Sequence, residues 1–243
     1  MKLGIIGGSG LDDPMILENF VEKEVETPFG RPSSVLTTGK IGKNEVVIIS
    51  RHNKDHSIMP TNVPNQANIW SLKQEGCEVI LATTACGSLR EQIKPGDFVF
   101  VDQFIDWTKH RNLTFFTDKV IHTPMAEPFD KDWRKRLVDQ AAKMGLRYHD
   151  RGTVITIEGP RFSTKAESKL FQQFGADVIN MSTSPEAILA NEIGLPYQTI
   201  AMSTDYDCWK EGEEPVTWDL IVERMNGNSA NVIKLLIQTI INI

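Results

Sequence analysis

The stretch Ala201–Trp209 reads Ala-Met-Ser-Thr-Asp-Tyr-Asp-Cys-Trp and holds two carboxylates, Asp205 and Asp207, two residues apart. It follows Tyr197-Gln-Thr-Ile, a β-branched and aromatic run that reads as a strand entering a core. In open α/β sheets the C-terminal strand ends are where ligands bind. If the chain is still extended there, residues i and i+2 share one face. Two acids packed together and buried push a carboxyl pKa upward, which suits general acid chemistry. Taken alone, the window is more simply a polar strand exit opening a loop. The choice depends on what the rest of the chain brings to it.

A second kind of chemistry is distributed. Arg51-His52 ends the apolar run Val46-Val-Ile-Ile. Arginine offers a planar fork that suits phosphate, and histidine adds a donor when protonated. Hydroxyls stand at three more strand ends: Ser9 after Leu3-Gly-Ile-Ile-Gly-Gly, Thr84 before the small-residue turn Ala85-Cys-Gly-Ser, and Ser182 after Asp177-Val-Ile-Asn-Met. The glycine-rich turn around Ser9 lets backbone amides close on an anion. It is not the dinucleotide fingerprint, because Asp13 stands where glycine is required, and it is not a P-loop, because no Gly-Lys-Ser/Thr follows. Charge-assisted hydrogen bonds contribute roughly 1.5–3 kcal/mol each. The set Ser9, Arg51, His52, Thr84 and Ser182 is therefore enough to hold phosphate on an acidic chain.

Composition narrows the field. The net charge of −6 argues against a nucleic-acid or anionic-membrane partner. Three cysteines, Cys77, Cys86 and Cys208, form no CxxC pair, which speaks against a zinc site or a disulfide framework and for a reducing cytoplasm. Cys86 reads as a small buried hydrophobe. His52 and His56 are spaced for zinc only on a helix, and Asn53-Lys-Asp with Met59-Pro60 makes this a loop, so no metal is expected. The N-terminus lacks the apolar run of a signal peptide. Val232–Ile243 is too short to span a bilayer and is broken by Lys234, Gln238 and Asn242.

The elements that position these residues alternate strand and helix, without a linker or repeat, so one domain over 1–243 is expected. Strands are expected at 35–38, 45–50, 77–84, 98–105, 152–157 and 177–181. Helices are expected at 12–20, 62–76, 130–145, 165–174, 184–193 and 217–241, with 106–122 a loop. Ser163 or Thr164 caps the fourth helix, and Ser184 with Pro185 opens the fifth. The fold class is α/β, a mixed twisted central sheet covered by helices.

These segments together resemble a known family. Gly4–Gly10 with Leu11-Asp-Asp-Pro, Arg51-His52, Gln66-Ala-Asn-Ile-Trp, Thr83-Thr-Ala-Cys-Gly-Ser-Leu-Arg, Asp102-Gln-Phe-Ile-Asp, Met125-Ala-Glu-Pro-Phe, Thr156-Ile-Glu-Gly-Pro-Arg-Phe-Ser, Asn180-Met-Ser and Thr204-Asp-Tyr-Asp-Cys-Trp look like the 5′-methylthioadenosine phosphorylases. These belong to the trimeric purine nucleoside phosphorylases, and the likeness runs from near residue 3 to near 240.

The resemblance implies phosphate-dependent cleavage of 5′-methylthioadenosine to adenine and 5-methylthioribose 1-phosphate, in purine and methionine salvage. It implies that Ser9, Arg51, His52, Thr84, the Ala85 amide and Ser182 hold phosphate. Phe162 and Ser163 would line the base pocket, Met181 would lie against the ribose, and Ile179, Thr204 and Trp218 complete the substrate set. Asp205 would be the acid for the leaving purine, with Asp207 its partner. His122 would reach a neighbouring subunit's nucleoside. The partners implied are the small-molecule nucleoside and phosphate, within a homotrimer or a multiple of it. The resemblance implies no cofactor, inorganic phosphate being a co-substrate.

Relatives that prefer 6-oxopurines tend to carry Asn at the Asp205 position, so the alternative is a purine nucleoside phosphorylase with that preference or with a different 5′ group. This chain departs from many relatives in having Ser rather than Thr at Ser9 and Ser182. Trp218 replaces a smaller aliphatic residue near the 5′ group, and the sequence stops at Ile243 without the C-terminal extension some relatives use near the site.

Overall fold

The computed structural model describes residues 1–7, 16–213 and 217–243, with the backbone alone at Trp218 and Asn226. The glycine-rich turn and Ser9 lie outside the described residues. Among the described residues, eleven strands join in one sheet: β1 (Lys2–Gly7), β2 (Glu18–Lys23), β3 (Leu36–Ile41), β4 (Asn44–Ser50), β5 (Val79–Ser88), β6 (Phe98–Phe100), β7 (Gln103–Trp107), β8 (Tyr148–His149), β9 (Thr153–Ile157), β10 (Val178–Asn180) and β11 (Tyr197–Asp205). The α-helices that accompany them are α1 (Asn65–Gln74), α2 (Lys131–Lys143), α3 (Lys165–Gln173), α4 (Thr183–Glu192) and α5 (Trp218–Ile241).

The spatial order is β2-β3-β4-β1-β5-β10-β9-β7, with β11 also on β5 and β6 bridging β11 to β8. The sheet is mixed. β1 is parallel to β4 and β5, and β11 is parallel to β5, whereas β10 meets β5 antiparallel. The strands with short apolar runs are buried on both faces, as central strands beneath helices must be. One face packs Ile6, Val47, Ile49 and Val101 against Ile69 and Leu72 of α1 and Ala187 and Leu189 of α4. The other packs Leu3, Ile5, Phe98 and Phe100 against Leu137 of α2 and Leu235 and Leu236 of α5. A smaller cluster of Ile155, Phe171 and Ile179 seats α3.

Several expected boundaries move for local reasons. The helix expected over 12–20 is not one across Glu18–Phe20, which belong to β2; residues 12–15 lie outside the described residues. Phe20 and Val21 suit a strand, and backbone pairing with β3 satisfies it along this edge. α1 starts at Asn65 rather than 62, because Pro60–Asn62 form a separate 3₁₀ turn and Pro64 stands at the cap position. The single strand expected over 98–105 is two, since the chain leaves β11 and β8 at Phe100 and rejoins the sheet beside β9 at Gln103. Asp106 and Trp107 extend β7 into the expected loop.

α3 carries the capping box of Thr164 and Glu167, so Thr164 and not Ser163 is its cap. α4 starts at Thr183 with Ser182 at the cap position, and Ser184 lies inside the helix, its hydroxyl donating to Asp106 at 3.0 Å.

The largest correction concerns β5. The small residues of Ala85–Ser88 predict a turn, yet the strand continues through them. Where β1 ends, β10 takes over that side, so Gly87 pairs with both Ile179 and Asp205. Small residues keep this crowded junction passable.

The loop after β7 is tied down by Glu158. Its carboxylate accepts from the Lys109 and His110 amides at 2.6 and 3.0 Å and from Arg111 Nε at 2.8 Å. Burial pushes the Glu158 pKa up, but Arg111 and the two amides outweigh it and bring it to about 2.

Candidate active site

The strand ends of β4, β5, β10 and β11 converge on one cavity of about 160 Å³. Arg51, His52, Thr84, Ala85, Phe162, Ser163, Ile179, Met181, Ser182, Thr204, Asp205 and Asp207 all line it. The Thr84 and Ser182 hydroxyls, Arg51-His52 and the acid pair therefore share a single space.

At one pole Arg51, Thr84 and Ser182 are set by a buried polar network. Arg51 is 3% exposed, and its Nε and Nη2 donate to Glu186 at 2.5 and 3.1 Å while Nη1 donates to the Thr83 carbonyl at 2.8 Å. Asn180 organises the hydroxyls. Its amide donates to Thr84 Oγ1 at 3.2 Å and to Thr183 Oγ1 at 2.6 Å, and its Oδ1 accepts from Thr156 at 2.9 Å. Thr84 and Ser182 then stand 3.1 Å apart. Ser182 makes no side-chain cap bond to α4, which leaves its hydroxyl to this network at the positive end of a helix.

His52 departs from its expected state. Burial and the neighbouring Arg51 charge lower its pKa to about 4, against a smaller opposing effect of the Ile58 carbonyl. That carbonyl lies 2.8 Å from Nδ1 and can only accept, so Nδ1 carries the single proton of a neutral ring. Nε2 is then an acceptor, not the cationic donor expected from the sequence.

At the other pole Asp205 and Asp207 are 5% and 7% exposed. They come together by a different route from strand alternation. A register shift between Ser203 and Asp205 makes Thr204 an extra residue, so Asp205 lies opposite Gly87. The strand then ends, and Asp207 turns back with φ +50°, a left-handed conformation that Asp tolerates better than most residues. Its amide donates to Asp205 Oδ1 at 2.7 Å, which closes the turn. Gly87 is the floor: a Cβ there would stand 3.0 Å from Asp205 Oδ1 and 3.3 Å from Asp207 Cβ.

Burial raises both carboxyl pKa values. Thr204 and the Asp207 amide pull Asp205 back, while the Asp207 carboxylate pushes it up again. At Asp207 the nearby Ser168 hydroxyl and the Cys208 amide pull the other way, although neither the Ser168 nor the Ser163 hydroxyl closes a hydrogen bond to the carboxylate. Thr204 Oγ1 lies 2.7 Å from Asp205 Oδ2 and 3.2 Å from the Cys86 carbonyl. One hydroxyl hydrogen serves both protonation states. Thr204 donates to an ionised Asp205, or turns to Cys86 and accepts from a protonated one.

Between the poles lies an apolar wall. Met181 sits under Gly159, whose φ of +70° and lack of a Cβ admit the Met181 sulfur; an added Cβ would be 2.5 Å from it. Met202 and, from α5, Ile221, Met225 and Val232 complete the wall.

The phosphorylase superfamily model matches residues 2–241. The chain belongs to this superfamily. It is 54% identical to an S-methyl-5′-thioadenosine phosphorylase of Danio rerio and 55% identical to one of Xenopus tropicalis, each alignment covering 99% of this chain and 88% of the relative. A methylthioadenosine phosphorylase from Schistosoma mansoni, solved in complex with adenine, superposes with a TM-score of 0.95 at 42% identity, over 99% of this chain and 91% of that one. A mutant of the Schistosoma mansoni adenosine/methylthioadenosine phosphorylase, in complex with methylthioadenosine, gives 0.94 at 40%, over 99% and 90%.

Within this phosphorylase-superfamily site, some candidates stand apart. His122 is exposed in the 108–129 loop and does not line its own chain's cavity. Ser9 and the Trp218 side chain lie outside the described residues. Cys86 touches the cavity but is almost fully buried, and burial raises its thiol pKa, so it packs rather than reacts.

Sequence reasoning passes over Glu186 and assigns no role to Asn180. Each reads locally as an ordinary helix or strand-end residue. The one available signal is polarity inside otherwise apolar elements. It also misses the α5 residues, because a long amphipathic helix gives no hint of which turn meets a cavity.

In phosphate-free protein, the His52 imidazole resonances will titrate with a midpoint near 4 rather than at the ordinary 6.5. Because the folded pKa is lowered, the neutral ring contributes stability that is full above about pH 6.5 and declines as pH falls toward about 4. An NMR midpoint at or above 6.5 would refute the neutral assignment.

Proposed function

We propose that the chain catalyses phosphate-dependent cleavage of 5′-methylthioadenosine to adenine and 5-methylthioribose 1-phosphate. The observation that carries this reading is the single cavity with an anion-binding pole at Arg51, Thr84 and Ser182 and a buried, protonable carboxyl at Asp205. Relatives over 50% identical along nearly the whole chain bear the name of that activity.

The roles follow from the chemistry. Phosphate, held by Arg51, Thr84, Ser182, the Ala85 amide and Ser9, forms a new bond from oxygen to the anomeric carbon. The bond from that carbon to the purine breaks, and its electrons move into the base. Asp205 gives its proton to N7, and Thr204 turns to meet the carboxylate that remains. The sugar carbon becomes cationic as the base departs, and the fixed phosphate stabilises it while attacking. Monohydrogen phosphate carries one hydroxyl, and neutral His52 is suited to accept from it. The proton released from phosphate balances the one delivered to the base. No organic cofactor or metal enters this scheme.

Selectivity rests on the same pair. A carboxylate accepts from the 6-amino group of adenine, whereas a 6-oxo group would face it acceptor to acceptor. Such buried mismatches cost roughly 1–3 kcal/mol. The apolar wall of Ile221, Met225 and Val232 suits a thioether better than a hydroxyl at the 5′ position.

A homotrimer in the cytoplasm, serving purine and methionine salvage, is part of this reading. An exposed aromatic patch of Trp107 and Phe174, whose ring centroids lie 5.7 Å apart, supports self-association, as do the exposed Val120 and Ile121 near His122. Sedimentation equilibrium is expected to return three times the chain mass of 27.3 kDa or a multiple of it. A monomer would remove the role given to His122.

Product analysis on 5′-methylthioadenosine is expected to show adenine release only with phosphate present, with 5-methylthioribose 1-phosphate as co-product. Release without phosphate would convert the reading to a nucleosidase. Asp205→Asn is expected to lower kcat on adenine nucleosides by about 100-fold or more, the low end of general acid contributions, while the KM for phosphate stays within threefold. Undiminished turnover would remove the acid role from Asp205.

A further inference from the structure

A buried carboxylate behind the anion pole has no part in the scheme above. Glu186 is fully buried and lies in the first turn of α4, the helix whose cap position is Ser182. Its two oxygens hold Arg51 Nε and Nη2 in a side-on fork. Oε2 also accepts from the Tyr197 hydroxyl at 2.7 Å. Tyr197 is itself buried and opens β11, the strand whose far end carries Asp205.

We propose that Glu186, braced by Tyr197, is a positioning residue for phosphate: it fixes the plane of the Arg51 guanidinium at the wall of the cavity. The inference rests on the phosphorylase reading for what Arg51 holds.

Three observations favour positioning over a purely stabilising role. First, a buried ion pair is a weak source of stability, because desolvating two charges offsets most of their attraction. An apolar pair would serve the core as well. Second, the pair does not sit within the core alone, because Arg51 reaches the cavity wall. Third, the guanidinium is held from two directions, by the carboxylate along one edge and by the Thr83 carbonyl at Nη1. A planar cation fixed on two sides cannot rotate to follow a mobile anion, so the anion must arrive in the geometry the clamp allows. That pre-set geometry lowers the ordering cost at binding. The brace is durable: burial and the Glu186 charge raise the Tyr197 pKa well above its ordinary value, so the phenol stays a donor across the working range. The start of α4 adds its own preference for an acid at this position.

The test uses inorganic phosphate as the probe, by calorimetric titration of the full chain and by steady-state kinetics on 5′-methylthioadenosine. Glu186→Gln is expected to weaken phosphate binding and raise the KM for phosphate by about tenfold or more, with the KM for the nucleoside within threefold. Equal phosphate affinity in variant and wild type overturns the proposal, as does an equal rise in both KM values.

Should Glu186→Gln fail to fold, Tyr197→Phe keeps the ion pair and nearly all the volume. It is expected to raise the phosphate KM roughly three- to fivefold and leave the nucleoside KM unmoved; no change overturns the proposal. A wild-type chain that binds phosphate but releases the base without it defeats the proposed reaction and leaves the Glu186 inference standing on the titration. A wild-type chain that binds no phosphate defeats both.

Discussion

The site depends on the double pairing at the end of β5. Gly87 is bonded into the sheet from one side by β10 and from the other by β11. This single junction fixes the two strand ends that carry Ser182 and Asp205. Were β5 to end at Thr84, as its sequence suggests, each pole would hang from its own loop. Instead the backbone ladder holds both in register. The cost is crowding, which explains why Ala85-Cys86-Gly87 is built from small residues. An Asp205 carboxylate oxygen, the Ile179 side chain and the Asp207 Cβ all crowd the place where a side chain on Gly87 would begin.

Around that junction the polar groups form two separate systems. One is an ion pair with its brace, Arg51, Glu186 and Tyr197, adjoining the hydroxyls ordered by Asn180. The other is the Asp205–Asp207 turn, with Thr204 as a reversible partner. The first is fixed, as suits a group that must hold a reagent. The second can change its protonation without moving heavy atoms, as suits a group that gives up a proton. Neither system needs a net positive surface, so an acidic chain can accommodate an anionic reagent.

The parts of this arrangement that can be read in the sequence are those with strong local signatures. Arg51-His52, Ser182 and the two aspartates occur at strand ends, which runs of apolar residues mark, and Thr84 is flagged by the apolar run before it although β5 continues beyond it. The α/β class is legible for the same reason. What escapes reading is set by distant pairing. Nothing near residues 85–88 announces that β10 will arrive, so small residues suggest a turn. The bulge at Thr204 comes from register against β5, which lies over a hundred residues away in sequence. Glu186 looks like a helix-start acid until Arg51 is placed beside it. His52 looks like a cationic donor because its burial and the Ile58 carbonyl are tertiary facts.

α5 contributes to the cavity in a different manner from the strands. It is tied near one end by Arg224, which donates to the Thr204 carbonyl at 2.6 Å, and at the other by Asn44, which donates to the Ile240 carbonyl at 2.8 Å. Between these ties it presents Met225 and Val232 to the cavity, with Ile221 one turn before Met225, and none of the three belongs to either polar system. The polar poles and this part of the apolar wall are thus carried by separate secondary-structure elements. Changes on one face of a single helix can therefore reshape the apolar wall of the cavity while both polar systems stay untouched. The wall can thus change one side chain at a time, because each of its α5 residues is separate from the hydrogen-bonded groups at the two poles.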